Sequence, residues 1–119
     1  MSIDNVLKIL DKNADVRESY VLIREVKLYF GVSDDSFLST IRVKVYKSSV
    51  NLNYPYWFDV SHYVHTPVQA GPYHPSRRCS ESEEGAIQEA ITSTTTFIKS
   101  AIHAGHKPSE NWLIPNKDF

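Results

Sequence analysis

A chain of 119 residues, 41% hydrophobic and 23% charged, carries enough apolar material for one domain with its own core. It falls outside the disordered class of low hydrophobicity and high charge. The formal net charge of -1 argues against a generally basic nucleic-acid binder, so any basic patch must be local.

The first predicted element is a short helix. Ser2 or Asp4 can cap it, because their side-chain oxygens accept from the free amides of a first turn. Ile3, Val6, Leu7 and Leu10 then form an apolar stripe that ends near Lys12 and Asn13. From Tyr20 the period changes to two. Leu22, Val26, Leu28 and Phe30 alternate with Val21, Ile23, Glu25 and Lys27, in a β-branched and aromatic composition that favours a strand. GVSDDS, residues 31–36, makes a turn. A second strand over 37–47 places Phe37, Ile41, Val43 and Val45 on a core face and Thr40, Arg42, Lys44 and Tyr46 on the other.

Ser48, Ser49, Val50 and Asn51 supply the next turn, and a third strand follows over 54–64. Tyr56, Phe58, Val60 and Val64 point one way, and Trp57, Asp59, Ser61, Tyr63 and His65 the other. Pro55 has no amide to give a ladder, so the strand begins after it or lies on an edge. Residues 65–80, HTPVQAGPYHPSRRCS, contain three prolines and can continue neither a helix nor a central strand. A loop of that length in a compact domain points to function.

Ser80 with Glu83 reads as a capping box that starts a second helix. Ala86, Ile87, Ala90, Ile91, Phe97, Ile98, Ala101 and Ile102 recur at helical spacing. Glu81, Glu83 and Glu84 complement the positive helix end, and Gly105 can close the other end in a left-handed conformation. Gly85 and the run TSTTT lower the propensity, so packing must stabilise this helix. The tail, residues 106–119, is irregular, yet Trp112, Leu113 and Phe119 are poor residues to leave in water. It is expected to dock on its own domain or on a neighbouring subunit.

The outcome is a single α+β domain, residues 1–119, with a three-stranded antiparallel sheet and two helices on one face. The order α-β-β-β-α resembles the double-stranded RNA-binding domain. That family places several lysines at the start of its second helix, where this chain has Ser80, Glu81, Ser82, Glu83 and Glu84. These acids repel phosphate, so the resemblance is one of topology and nucleic acid is not the expected partner.

Histidines and a cysteine raise metal and thiol chemistry. His62, His65, His74 and Cys79 can each ligate zinc, but no CxxC or second CxxH pair supports a tetrahedral site. His103 and His106 suit the negative end of the second helix. Cys79 lies beside Arg77 and Arg78, which favour a thiolate, and beside three acids that oppose it. No base and orienting residue accompany it, and no serine elbow, phosphate loop or dinucleotide motif is present. No catalytic residue, metal or cofactor is assigned.

A binding reading draws on more residues. Arg42 and Lys44 share the outer sheet face with Tyr46, and Trp57, Tyr63 and His65 lie on that face of the next strand. The loop adds Tyr73, His74, Arg77 and Arg78. Cations beside flat aromatic surfaces can hold a phosphate and stack a base, with the tail around Asn116 and Asp118 closing the site. The expected function is that of a non-enzymatic binding protein for an anionic ligand with an aromatic group. A nucleotide or nucleotide-derived signal fits that description, and sequestration by a phage-type inhibitor suits the size.

An adaptor or inhibitor that binds a protein partner through the sheet face and loop is the alternative, since the same residues mark protein interfaces. A small Cys/His enzyme is the third. A homo-oligomer is expected, because exposed aromatic sheet faces also join subunits. The opening MSIDNVLKIL lacks the signature of a secretory signal, and no run of about 18 apolar residues occurs. A cytoplasmic location with no membrane partner is the expectation.

Overall fold

The structure is a computed structural model that describes residues 1–31 and 38–119. Its elements are α1 (Ile3–Asp11), β1 (Tyr20–Gly31), β2 (Leu38–Ser48), β3 (Tyr56–Val60), β4 (His62–Val64), β5 (Cys79–Ser80), α2 (Glu83–His103), a 3-10 turn (Glu110–Trp112) and β6 (Leu113–Pro115). The expected turn at GVSDDS beyond Gly31, and Phe37 on the core face, lie outside the described residues.

The chain is α+β, but the main sheet has four antiparallel strands in the order β1-β2-β3-β5, and β4 pairs with β6 in a separate sheet. The expected three-stranded sheet therefore needs two corrections. The long third strand breaks at Ser61. Its amide donates to the Arg42 carbonyl and its hydroxyl accepts from the Arg42 amide, which ends the pairing with β2. The chain then continues as β4 with a new partner, the tail. The second correction is Cys79–Ser80, which pairs with Tyr56 and Trp57 as a short edge strand. These additions also depart from the α-β-β-β-α order that resembles the RNA-binding domain.

β1 contains a bulge between Leu22 and Arg24, where Ile23 and Arg24 together face Val45. A bulge inserts one residue into the alternation, so it changes which residues share a face. Val21 and Ile23 are therefore half-buried with Val26, Leu28 and Phe30, whereas Leu22, expected on the same side as those three, is 48% exposed. Perfect alternation was the wrong assumption here.

The main core consists of Ile41, Val43, Val45, Phe58, Val60, Ala86 and Ala90, with Ile23, Val26, Leu28 and Phe30 packed against it. Ala86 and Ala90 come from the first half of α2, where small side chains let the helix lie close on the sheet. The second half of α2 extends to a second core, in which Ile98 and Ala101 meet Val64 and Trp112. The two-stranded sheet thus covers the part of α2 that the four-stranded sheet does not. Asp4 of α1 pairs with Lys47, which shares the face of Val45, so α1 lies on the same side as α2.

Ser2 caps α1 through its hydroxyl, which accepts from the Asn5 amide. α2 is capped by Ser82 rather than Ser80, with the Gly85 amide donating to Ser82 Oγ. Ser80 is committed to the edge strand, so the cap falls two residues later. Gly85 packs close under Ser80: a Cβ there would come within 2.2 Å of Ser80 Oγ, so that hydroxyl would have to turn away. The TSTTT run is accommodated because Ser93, Thr94, Thr95 and Thr96 hydroxyls donate to carbonyls one turn back.

Gly105 has φ +95, and the amides of Gly105 and His106 donate to the carbonyls of Ile102 and Ala101. This is the Schellman arrangement, which needs a left-handed residue after the cap. Gly105→Ala is expected to lower stability by about 1 kcal/mol, since an added Cβ meets no neighbour and the cost is one of backbone conformation. Urea unfolding at unchanged midpoint would refute this.

Candidate functional site

The outer sheet face, away from the helices, carries Tyr46 opposite Trp57 and Lys44 opposite Asp59 across the β2–β3 pair. Ser48, small and buried, lies between β1 and β3, and over it the Tyr20 and Trp57 rings meet edge to face at 5.7 Å. A cavity of about 470 Å³ opens on this face. Tyr20, Tyr46, Trp57 and Tyr63 give it aromatic walls, and Asp59, Arg78, Asn116 and Asp118 its polar groups.

The tail forms the wall opposite Tyr20. Asn116 Nδ2 donates to the Val60 carbonyl and its amide to the Ser61 carbonyl, while its Oδ1 accepts from the Asp118 amide. Both ends of this side chain are engaged, so Asn116 builds the wall and holds Asp118 beside the opening. The tail is docked on its own domain, and Trp112 is its anchor in the second core.

Arg78 reaches the cavity and donates from Nη1 to Asp59 Oδ1 at 2.8 Å. A guanidinium has five N–H donors, so this pair leaves others available. Tyr46 has its hydroxyl pKa raised, first by burial and then by the Asp59 and Glu25 carboxylates. Tyr20 is raised likewise, by burial and then by Glu18. Both phenols stay protonated; Tyr20 donates its proton to Glu18 Oε2. The indole N–H of Trp57 is buried with no hydrogen-bond partner among the described residues.

The sequence-derived candidates divide. Trp57, Tyr63, Arg78, Asn116 and Asp118 line this cavity. His74 is not in the cavity lining; its ring packs tilted on Tyr63 with ring centres 4.3 Å apart. Arg77 diverges from Arg78: its guanidinium lies 4.0 Å from the Tyr54 ring centre, away from the cavity. Its pKa is raised, by hydrogen bonds to Tyr54 and then Cys79. Tyr73 packs on Phe97 of α2, and His65 gives its amide to the Trp112 carbonyl. Arg42 and Lys44 sit beside the cavity under Phe119, with Lys44 Nζ 4.2 Å from the ring centre and Arg42 Cζ 5.1 Å.

No protein-family model, curated protein or solved structure matches the chain. Its chemistry must be read from the residues alone.

Two residues of the cavity lining, Tyr20 and Asp59, and one residue of the loop, Gln69, escaped sequence reasoning. Tyr20 looked like the start of a strand, and its role depends on the small Ser48 between it and Trp57. Asp59 was assigned a face but no partner; Arg78 is 19 residues away and reaches it only through β5. Gln69 organises the loop. Its Oε1 accepts from the Thr66 amide and its Nε2 donates to the Val64 and Gly71 carbonyls. A glutamine in a proline-rich stretch carries no sequence signal of that kind.

His62 has its pKa lowered, by burial and then by the nearby Arg42 charge, while its Nδ1 contacts Ser61 Oγ at 2.9 Å. Among the described residues no group of three or more His, Cys, Asp or Glu side chains converges as a metal shell, and no helix is long and apolar enough to cross a membrane.

Proposed function

We propose that this is a binding protein that sequesters a small nucleotide-like ligand in the outer-face cavity. The observation that carries the reading is the cavity lining: aromatic walls from β1, β2, β3 and β4, with one arginine and two carboxylates among the same lining residues. A volume of about 470 Å³ suits a base, a sugar and a phosphate, within the usual range for small-molecule sites. The base stacks on the Trp57 and Tyr46 side. Asp59 and Asp118 accept from sugar hydroxyls, and the free donors of Arg78 hold a phosphate oxygen. Arg77, held on Tyr54, is not part of this anion contact.

Calorimetric titration with AMP and with a cyclic mononucleotide tests the proposal. Trp57→Ala is expected to weaken binding about tenfold or more, because base stacking on an aromatic contributes about 1–3 kcal/mol. Arg78→Ala should weaken AMP binding and Arg77→Ala should leave it unchanged. If neither nucleotide binds, or if Arg77→Ala has the larger effect, the proposed site is wrong.

A further inference from the structure

We infer that β1 is a dimerisation edge, through which two copies of this chain join their sheets by antiparallel pairing centred on Val26, whatever ligand the cavity takes. Among the described residues β1 pairs on one side only, with β2, which leaves the other side of a 12-residue strand unpaired. Alternate residues of such an edge point their amides and carbonyls outward, a template for another strand. β1 is long for an edge, since native domains commonly keep edge strands short.

Beyond the bulge, Arg24, which pairs with Glu83 of α2, shares the helix side of β1 with Val26, Leu28 and Phe30. These three apolar residues pack on the main core yet stay half-buried, because β1 is the last strand of the sheet. Glu25, Lys27 and Tyr29 alternate with them on the outer face, all exposed. Lys27 faces the like charge of Arg42 on β2, and its nearest aromatic ring, Tyr29, has its centre 5.4 Å away. It has no ion pair among the described residues. Glu25 faces Lys44 and stands 4.0 Å from Arg42 in an exposed ion pair, which contributes little.

A lysine on an edge ordinarily discourages pairing, because a second strand would have to face its charge. Glu25, two residues earlier on the same face, reverses that effect for one partner, a second copy of this chain. Two sheets that continue each other keep their outer faces on one side, so antiparallel self-pairing must centre on a residue. Centred on Glu25 it brings two carboxylates together, and centred on Lys27 two ammonium groups. Centred on Val26, Glu25 of each copy lies opposite Lys27 of the other. The outer row across the junction then runs Arg42, Lys27, Glu25, Lys44, and the lysine beside a like charge gains an acid. On the helix side Val26 meets Val26, and Leu28 lies along the aliphatic stem of Arg24. The pairing covers residues 24–28 of each copy and stops at the bulge, where the alternation breaks.

Sedimentation equilibrium on the full chain, and on Glu25→Lys and Lys27→Glu, tests the edge, with thermal melting to show that each variant is folded. The native chain is expected to reach twice the chain mass at micromolar to millimolar concentration. Each single variant sets like charges opposite each other at two symmetric places and should weaken the dimer about tenfold or more. Mixing the two variants should restore it, because the substituted position of each chain then faces the substituted position of the other with opposite sign, and the native pair returns beside it. Both exposed charges lie away from the core, so a general loss of structure would not be repaired by mixing. A native chain that stays monomeric at millimolar concentration overturns the inference. So does a dimer that both single variants leave intact, or a mixture no more associated than its components, since either result places the contact elsewhere or in another register.

Discussion

Replacing Trp112 by alanine is expected to destabilise the protein by about 3–5 kcal/mol, the range for removing a buried aromatic side chain from a packed core. Trp112 is 6% exposed and packs with Val64, Ile98 and Ala101 where the second half of α2 meets the small sheet. Its carbonyl also accepts from the His65 amide, so the indole lies where the long loop begins. The loss should therefore spread. With the anchor gone, the three paired residues of β6 and the Asn116 bonds to Val60 and Ser61 are left to hold it, too few to keep the tail docked. Asn116 and Asp118 would leave the cavity wall. Chemical denaturation should show the loss of stability, and amide exchange should show residues 62–66 and 113–116 opening first. A loss under about 1 kcal/mol would mean that the tail is surface decoration rather than part of the core.

Phe58→Ala should be as damaging for a different reason, with an expected cost again of about 3–5 kcal/mol. Phe58 is 2% exposed, the largest fully buried side chain among the described residues, and joins β3 to Ile41, Val43, Val45 and the α2 alanines. Alanines cannot move inward to fill the space left behind. The same residue lies under the cavity, so the variant should also weaken any ligand that stacks on Trp57. Phe58→Leu keeps most of the volume and should cost about 1.5 kcal/mol or less. Equal costs for the two substitutions would show that the position tolerates collapse. Since native domains retain about 5–15 kcal/mol of stability, either alanine variant could leave the chain substantially unfolded at elevated temperature.

The site couples both arguments. Its floor is the reverse side of the main core, and one wall is the tail held by the second core. Such a cavity is preorganised, which lowers the ordering cost of binding. Asp59 and Asn116 are the residues that make this geometry. Asp59 holds Arg78 at the opening, and Asn116 fixes the tail to β3.

The sequence by itself determined the elements whose causes are local. The apolar stripe of α1, the helical repeat from Ala86 to Ile102 and the left-handed closure at Gly105 each follow from spacing or from one residue's backbone freedom. The alternation of Ile41, Val43 and Val45 likewise fixed the core face of β2, since side chains on a strand alternate whatever lies beyond it.

Only the tertiary structure decided what depends on partners far along the chain. The bulge at Ile23 inverted the assignment of Leu22, because register is set by the facing strand as well as by the strand's own pattern. Ser61 ended one sheet and began another because Arg42 and Asn116, 19 residues before it and 55 after it, take its backbone groups. The adjacent Arg77 and Arg78, which a sequence reader groups as one anion clamp, are separated by an extended backbone that sends neighbouring side chains to different partners, Tyr54 and Asp59. Composition announced aromatic and cationic groups, but a cavity is a relation among elements. It exists here because Ser48 is small enough for Tyr20 to reach Trp57, and because Trp112 fastens the tail on the other side.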